Sequence, residues 1–416
     1  MIARHLPGSA HRQKAWRWEN WGVTPDVPTQ LALAKELGIP EDQVHRQGWP
    51  GWLPAGPGID MQVAWDFDGS VRLLDNAAGG AVTDRRGFLL LGAGAVGSLT
   101  HNWLTVEPSR IGHVLKGGRI DARLIDCLEQ RLPGLRTMDM TLGGGSIRGM
   151  VDAELRLVTN LLREGSFTEA VGARLVAVAA ELARIAGWAS FDAGYHAAAE
   201  RYWVAALRAA HSSGSAVQGA NILKCMSLQR VDTERPAEAL ELASAARAGA
   251  QKAHARVRAM LATREARTHA VLGDAGACDR LLAAAETAMG RADDERTPDW
   301  AAYFDKAEYC AQVAACNLLL HRHRVADEWL AQTLALQPAS RRRDRATYLI
   351  WRADAAHHLG DLDQAVELVR RAVPDIADAR SARNTRRLGD ITKQLAQHKT
   401  AATIALTDQV RDMRAA

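Results

Sequence analysis

Small and apolar residues recur at helical spacing in the C-terminal two thirds of the chain. In five stretches a small residue is followed by an apolar residue four positions later and by another small residue three positions after that, which places the three on one face of a helix. Their first members are 40, 39, 48 and 39 residues apart. This period predicts an internal repeat whose triplets face the core. The triplets are Ala199/Trp203/Ala206, Ala239/Ala243/Ala246, Cys278/Leu282/Ala285, Ala326/Leu330/Thr333 and Ala365/Val369/Ala372.

Each triplet follows an Ala-rich helical stretch and a short turn, so the pattern predicts five pairs of helices. The turns read "FDAGYH", "VDTERP", "VLGDAG", "LHRHR" and "HLGDLD". The arrangement resembles tetratricopeptide repeats, most closely in "LIWRADAAHHLGDLDQAVELVRRAV", although the period exceeds the usual 34 residues. The resemblance implies an α-solenoid with a concave binding surface over residues 119–398. Residues 381–396 would form a polar capping helix, and residues 399–416 a final amphipathic helix packed on the end or on a second subunit.

The N-terminal 58 residues have the element order of a DNA-binding domain. The chain predicts a helix ending at Trp18-Glu19, a turn with Gly22 and Pro25, and a second helix in "VPTQLALAKELG". The segments "WENWGVTP" and "LGIP" resemble helix-turn-helix repressors of the XRE type. A complete domain of that type has about two further helices at its start, and residues 2–10 supply only the end of one. Either the first helix is missing or DNA binding has been lost.

The resemblance implies that the helix before Trp18 enters the major groove. That helix offers Arg12, Gln13, Lys14 and Arg17, which we predict as the DNA-binding residues. Arginine and glutamine present forked groups that suit guanine and adenine edges, and lysine neutralises phosphate.

Residues 59–118 are predicted to link the two parts. The alternating run "VAWDFDGSVRLL" predicts a short β-hairpin folded at Asp68-Gly69. The run Gly87–Val106 carries no charged residue, and we expect a glycine-tolerant helix packed between the domains rather than a membrane anchor.

Within this linker "RRGFLLLGAGAVGSL" contains a twin-arginine pair and a G-x-G-x-x-G pattern. Export signals lie at the N-terminus, whereas this pair follows some 84 residues. A dinucleotide fingerprint needs a βαβ unit and an acidic residue about 20 positions later, and the sequence predicts no second strand there. We therefore expect neither export nor a nucleotide cofactor.

Composition narrows the function further. The net charge of +4 over 416 residues is small, and the five cysteines are scattered without a C-x-x-C pair, which favours reduced thiols in the cytoplasm. No hydrolase, metalloprotease or P-loop motif is present, so we expect no enzyme, cofactor or metal. The pairs His321/His323 and His357/His358 are expected to be exposed beside turns, and the run "SRRRDR" at 340–345 to be a solvated loop.

Two hypotheses follow for an all-α protein of this organisation. The whole chain, including "LGGGSI" and "AGWASFDAGYHAAAERYW", resembles actinobacterial transcriptional regulators. That implies a homodimer that binds operator DNA and holds a peptide, small-molecule or protein effector in its repeat groove. The alternative is a protein-interaction scaffold that has lost DNA binding.

Overall fold

Helices provide nearly all the regular structure, so the prediction of an all-α fold is confirmed. The computed structural model describes residues 25–36, 41–47, 59–79, 91–108, 114–115, 118–292, 297–379 and 381–415. Among these residues the only sheet is a two-residue antiparallel pair of β1 (Val114–Leu115) and β2 (Ser166–Phe167).

Five antiparallel helix pairs form the body of the molecule, as the repeats predict. The triplets lie in the second helix of each pair, where Ala199, Trp203 and Ala206 are fully buried. Each first helix also packs on the next first helix, which produces a solenoid. The pairs are α7 (Glu169–Asp192) with α8 (His196–Ser212), α9 (Ala216–Asp232) with α10 (Pro236–Gly249), α11 (Ala255–Val271) with α12 (Ala275–Met289), α13 (Lys306–Leu319) with α14 (His323–Leu336), and α15 (Arg342–His358) with α16 (Leu362–Asp378).

The turns inside the pairs share one backbone conformation. The residue two positions before each second helix has a positive φ: Gly194, Glu234, Gly273, His321 and Gly360. Glycine adopts this conformation freely, whereas other residues do so at a cost of about 1 kcal/mol or more. The five turns are therefore equivalent even where glycine is absent, which explains why "VDTERP" and "LHRHR" are the hardest turns to recognise.

Further helices flank the solenoid at both ends. Before it lie α5 (Ala122–Leu142) and α6 (Gly144–Glu164), and after it lie α17 (Ala382–Leu395) and α18 (Ala401–Ala415). The last helix packs on the end of the repeats through Leu406 and Val410. The solenoid curls far enough for α5 to contact α15 of the fifth pair.

The predicted β-hairpin at residues 63–74 is wrong. These residues lead into α3 (Phe67–Gly79), and Asp68 and Gly69 lie inside that helix. The Asp66 carboxylate accepts a hydrogen bond from the Gly69 N–H (2.8 Å), which is the usual way to start a helix. The segment before α3 is fixed by buried Arg208, which donates to the carbonyls of Met61, Val63 and Ala64. The run of alternating apolar and polar residues at 63–74 therefore forms a capped turn followed by an amphipathic helix.

The apolar linker forms α4 (Ala93–Thr105), which docks on the outside of the repeats. Its Trp103 lies against Gly219 and Gly249, where an added Cβ would come within 2.4 Å and 2.1 Å of the indole. Gly92, Gly94 and Gly97 thus begin a packing helix. Among the described residues, no helix combines the length and apolar character needed to span a membrane.

Two N-terminal helices are described: α1 (Val27–Glu36), at the position predicted for the helix after the turn, and α2 (Glu41–Gln47). Asp26 caps α1 by accepting from the Thr29 N–H (2.9 Å). The predicted DNA-binding residues Arg12, Gln13, Lys14 and Arg17 lie outside the described residues, as do Arg85 and Arg86.

Candidate functional site: the concave cavity

The inner surface of the solenoid encloses a cavity of about 400 Å³. It is lined by the first helices of all five pairs, by α5 and α17 at its two ends, and by the segment 299–303 between the third and fourth pairs. The second helices face outward, so each repeat contributes its first helix to the cavity. Pockets of this volume hold small molecules rather than folded proteins.

Buried polar contacts close the cavity where the two ends of the solenoid meet. Arg343 at the start of α15 donates to Asp139 of α5 (Nη1–Oδ2 3.0 Å) and lies 3.9 Å from Asp192 of α7. Ser381, which caps α17, donates to the same Asp192 (Oγ–Oδ1 2.8 Å). Burial disfavours the charge on Arg343, but Asp139 and Asp192 raise its pKa above the ordinary value. These contacts join residues between 151 and 204 positions apart and hold the two ends of the solenoid together.

The lining is rich in positive charge: nine of its described side chains are cationic and five are acidic. Several of the cations are satisfied. Arg136 of α5 and Arg184 of α7 both donate to buried Glu181 (2.8 Å each). Burial alone would raise the pKa of Glu181, but the two guanidinium groups lower it to about 2. This side of the cavity is a compensated ion-pair network.

On α11 the compensation is incomplete. Arg264 and Arg267 are buried, with exposed fractions of 8% and 7%. Neither Nε nor Nη1 of Arg264 has a hydrogen-bond partner, and neither does Nε of Arg267. Burial lowers the pKa of both, that of Arg267 to about 10. A guanidinium cannot shed its proton in a protein, so these side chains remain charged and under-solvated.

A cluster of three arginines around one carboxylate lies where α17 faces α9. Asp232 accepts from Arg383 (Nε–Oδ2 3.1 Å) and lies 3.5 Å from Arg387 and 3.7 Å from Arg386. The three guanidinium groups lower the pKa of Asp232 despite its burial. Burial and the neighbouring Arg383 together lower the pKa of Arg387 to about 9. One carboxylate therefore serves three cations.

Aromatic rings form the apolar part of the lining. The guanidinium groups of Arg267 and Arg387 lie 5.2 Å and 5.7 Å from the centre of the Trp351 ring. Lys224 of α9 donates to the Tyr303 hydroxyl (2.6 Å). Trp188 and Trp300 also face the cavity. The cavity thus offers flat apolar surfaces beside unsatisfied donors.

Glu308 of α13 is a buried lining carboxylate with perturbed acidity. Burial and then Asp344 raise its pKa to about 7. Tyr348 donates to one of its oxygens and Gln312 to the other (2.8 Å). The charge of the cavity therefore changes near neutral pH.

The cavity residues carry no recognisable sequence motif, and one run of them was wrongly predicted to be a loop. The predicted solvated loop at 340–345 is instead the first turn of α15, because Arg343 is drawn inward by Asp139 and Asp192 while Arg341 pairs with Asp305 (2.8 Å). One sequence feature does indicate the cavity. Arg264 and Arg267 lie three residues apart, on one side of a helix that is otherwise rich in buried alanine.

The histidines of the outer turns come together, which the sequence did not predict. The rings of His323 and His358 stack at 4.3 Å, and His357 lies 5.3 Å from His398. Burial lowers the pKa of His323 and His357. In the part of the chain that the structure describes, no group of histidine, cysteine, aspartate or glutamate has the geometry of a metal site.

Comparison with known proteins shows similarity to solved structures. No protein-family model matches the chain. No curated protein matches it either. Among solved structures, the chain is similar to a kinesin light chain-like protein of Podosopora anserina with nearly identical TPR-like repeats, at 19% sequence identity and a TM-score of 0.34; the match covers 47% of this chain and 94% of that one.

Proposed function

We propose that this protein is a helical-repeat binding protein that holds an effector in its concave cavity. The observation that carries the proposal is the concave lining, in which buried donors of Arg264 and Arg267 lack partners beside aromatic surface. Ligand sites are concave and combine apolar surface with polar groups that orient the ligand. This cavity is concave and combines aromatic rings with buried donors, and its lining is unusually rich in charge. In this proposal residues 119–398 form the binding unit, residues 59–118 link it to the N-terminal part, and residues 399–416 end the chain.

A neutral aromatic probe tests whether the cavity accepts ligands. N-phenyl-1-naphthylamine fluoresces when it leaves water, and its rings match the aromatic lining. We expect Trp351→Ala to weaken its binding at least fivefold, because Trp351 lines the cavity. Tyr195→Ala is the matched control, since Tyr195 lies on an outer turn and is 49% exposed. Equal loss in both variants, or no binding to the wild type, would contradict the proposal.

We further propose that residues 1–58 couple effector binding to DNA. This proposal is supported by the resemblance of residues 12–54 to XRE-type domains, and by the basic residues Arg12, Lys14 and Arg17 and the amide of Gln13 in the helix that would read the major groove. An effector would regulate DNA binding only if it favoured one arrangement of a dimer over another. Light scattering of the full chain tests the homodimer that this requires.

Fluorescence anisotropy separates the regulator from the scaffold. The full chain is titrated with duplex from its own upstream region and with a scrambled duplex, at two salt concentrations. A regulator binds the first duplex selectively and more tightly at low salt, and the triple variant Arg12→Ala/Gln13→Ala/Arg17→Ala loses this binding. Equal binding to both duplexes that the variant retains, or no binding at all, favours the interaction scaffold.

A further inference from the structure

Arg264 and Arg267 occupy a position that a ligand-free protein has little reason to keep. Both extend from α11 into the cavity, both are at least nine-tenths buried, and three of their nitrogen atoms have no hydrogen-bond partner. A buried guanidinium without a counter-charge is costly, whereas the same cavity satisfies Arg343 with two carboxylates. The missing element at α11 is negative charge.

The neighbouring carboxylates supply that charge only in part: Asp232 stabilises the charge of Arg267, and Glu308 that of Arg264. Lys224 adds a cation to the same region, where its Nζ donates to Tyr303. Asp232 is already shared by Arg383, Arg386 and Arg387. Glu308, which faces the cavity from α13, has its pKa raised to about 7 and carries only part of a charge at neutral pH.

The aromatic lining restricts the rest of the ligand. The ring of Trp351 lies beside the Arg267 guanidinium at 5.2 Å, and Tyr303 lies beside Lys224. A ligand that places an anionic group between Arg264 and Arg267 would therefore bring its remaining atoms against flat apolar surfaces. A volume of about 400 Å³ suits a small organic molecule.

From this arrangement we propose that the cavity binds a small aromatic anion, whose carboxylate, sulfonate or phosphate group is held by Arg264, Arg267 and Lys224 and whose ring packs on Trp351 and Tyr303. The inference rests on the proposed binding function and adds the chemical class of the effector. Charge-assisted hydrogen bonds from arginine to such groups supply both affinity and orientation.

Two related fluorescent probes test the charge requirement. Anilinonaphthalene-8-sulfonate carries a sulfonate that N-phenyl-1-naphthylamine lacks, and the two share their ring system. We expect the sulfonate probe to bind the full-length wild type at least tenfold more tightly than the neutral probe. Arg264→Gln and Arg267→Gln should each weaken binding of the sulfonate probe at least tenfold more than they weaken binding of the neutral probe. Arg163→Gln, on the outer surface, should change neither.

Competition experiments and folding controls distinguish failure of the anion proposal from failure of the proposed cavity function. Benzoate, benzenesulfonate or phenylphosphonate should displace the sulfonate probe while benzyl alcohol should not, and Arg264→Lys should retain part of the affinity. Urea midpoints at or above that of the wild type establish that the variants are folded. If both probes bind equally to the wild type and to the arginine variants, the cavity remains a ligand site and the anion inference is wrong. If sulfonate binding survives in both variants, the anion is held elsewhere and the inference is also wrong. If neither probe binds, the proposed cavity function fails together with it.

Discussion

Replacing Arg267 by methionine should stabilise the protein, although Arg267 is buried. Burial is the main cause that lowers the pKa of Arg267 from 12.5 to about 10. Each pKa unit corresponds to about 1.4 kcal/mol, so the folded state disfavours the charged side chain by roughly 3 kcal/mol. Because the folded pKa of this cation is the lower one, the penalty is fully present at neutral pH. Methionine keeps much of the side-chain volume and removes the charge.

Part of this gain is lost with the contact between Arg267 and Trp351. A cation over an aromatic ring contributes about 0.5–1 kcal/mol at an exposed site and about 2 kcal/mol when desolvated. We therefore expect Arg267→Met to increase the free energy of unfolding by about 1–2 kcal/mol. The same change should weaken anion binding, so stability and binding should move in opposite directions.

Arg343→Met is the matched control from the same cavity. Arg343 is equally buried but pairs with Asp139 and lies beside Asp192. Its removal leaves buried carboxylates without a counter-charge, which typically costs about 3–5 kcal/mol. Urea unfolding followed by circular dichroism measures both changes as shifts of the midpoint, provided that the slope is unchanged. If both variants shift the midpoint downward, Arg267 is not electrostatically strained and the reasoning is refuted.

Three further predictions concern packing and pH. Gly219→Ala should destabilise the protein by about 1–3 kcal/mol in urea unfolding, because its Cβ would overlap the buried indole of Trp103; an unchanged midpoint would show that α4 does not dock there. Affinity for anilinonaphthalene sulfonate should fall as pH rises from 6 to 8, because Glu308, with its pKa raised to about 7, gains negative charge. Glu308→Gln should reduce this pH dependence, and an unchanged pH dependence in the variant would contradict the prediction. Burial lowers the pKa of His196 to about 4. The contribution of neutral His196 to stability is therefore present above pH 6.5 and is lost as the pH falls toward 4, by up to about 3 kcal/mol. The stability of His196→Asn should depend less on acid than that of the wild type, and equal acid sensitivity would show that His196 does not cause the loss.

The repeats were predictable because their packing is local and periodic. The triplet Ala365/Val369/Ala372 marks one helix face. Asp361 caps the start of that helix, where its carboxylate accepts a hydrogen bond from the Gln364 N–H (3.0 Å). Helix existence and pairing follow from such spacing alone. The β-hairpin prediction was wrong because the run around Asp66 is short and its apolar and polar residues happen to alternate. The contacts that fix the preceding segment come from Arg208, more than 140 residues away, and spacing within the run does not reveal them.

The cavity was not predictable from spacing, because it combines residues that are far apart in the chain. Arg267 and Trp351 meet only after the solenoid has curled. The two ends of the solenoid are held together by Arg343 and Asp139, 204 residues apart. A run such as "SRRRDR" gives no indication of which arginine turns inward, since that depends on where the carboxylates of other helices lie.

The most direct test of the central claim is a crystal structure of the protein soaked with 4-bromobenzenesulfonate, with the bromine located by anomalous scattering. The proposal predicts bromine density inside the cavity against Trp351 or Tyr303, with sulfonate oxygens within hydrogen-bond distance of Arg264 and Arg267, and no such density in crystals of Arg264→Gln/Arg267→Gln. Bromine density confined to the outer surface, or density in the cavity that persists in the double variant, would contradict it.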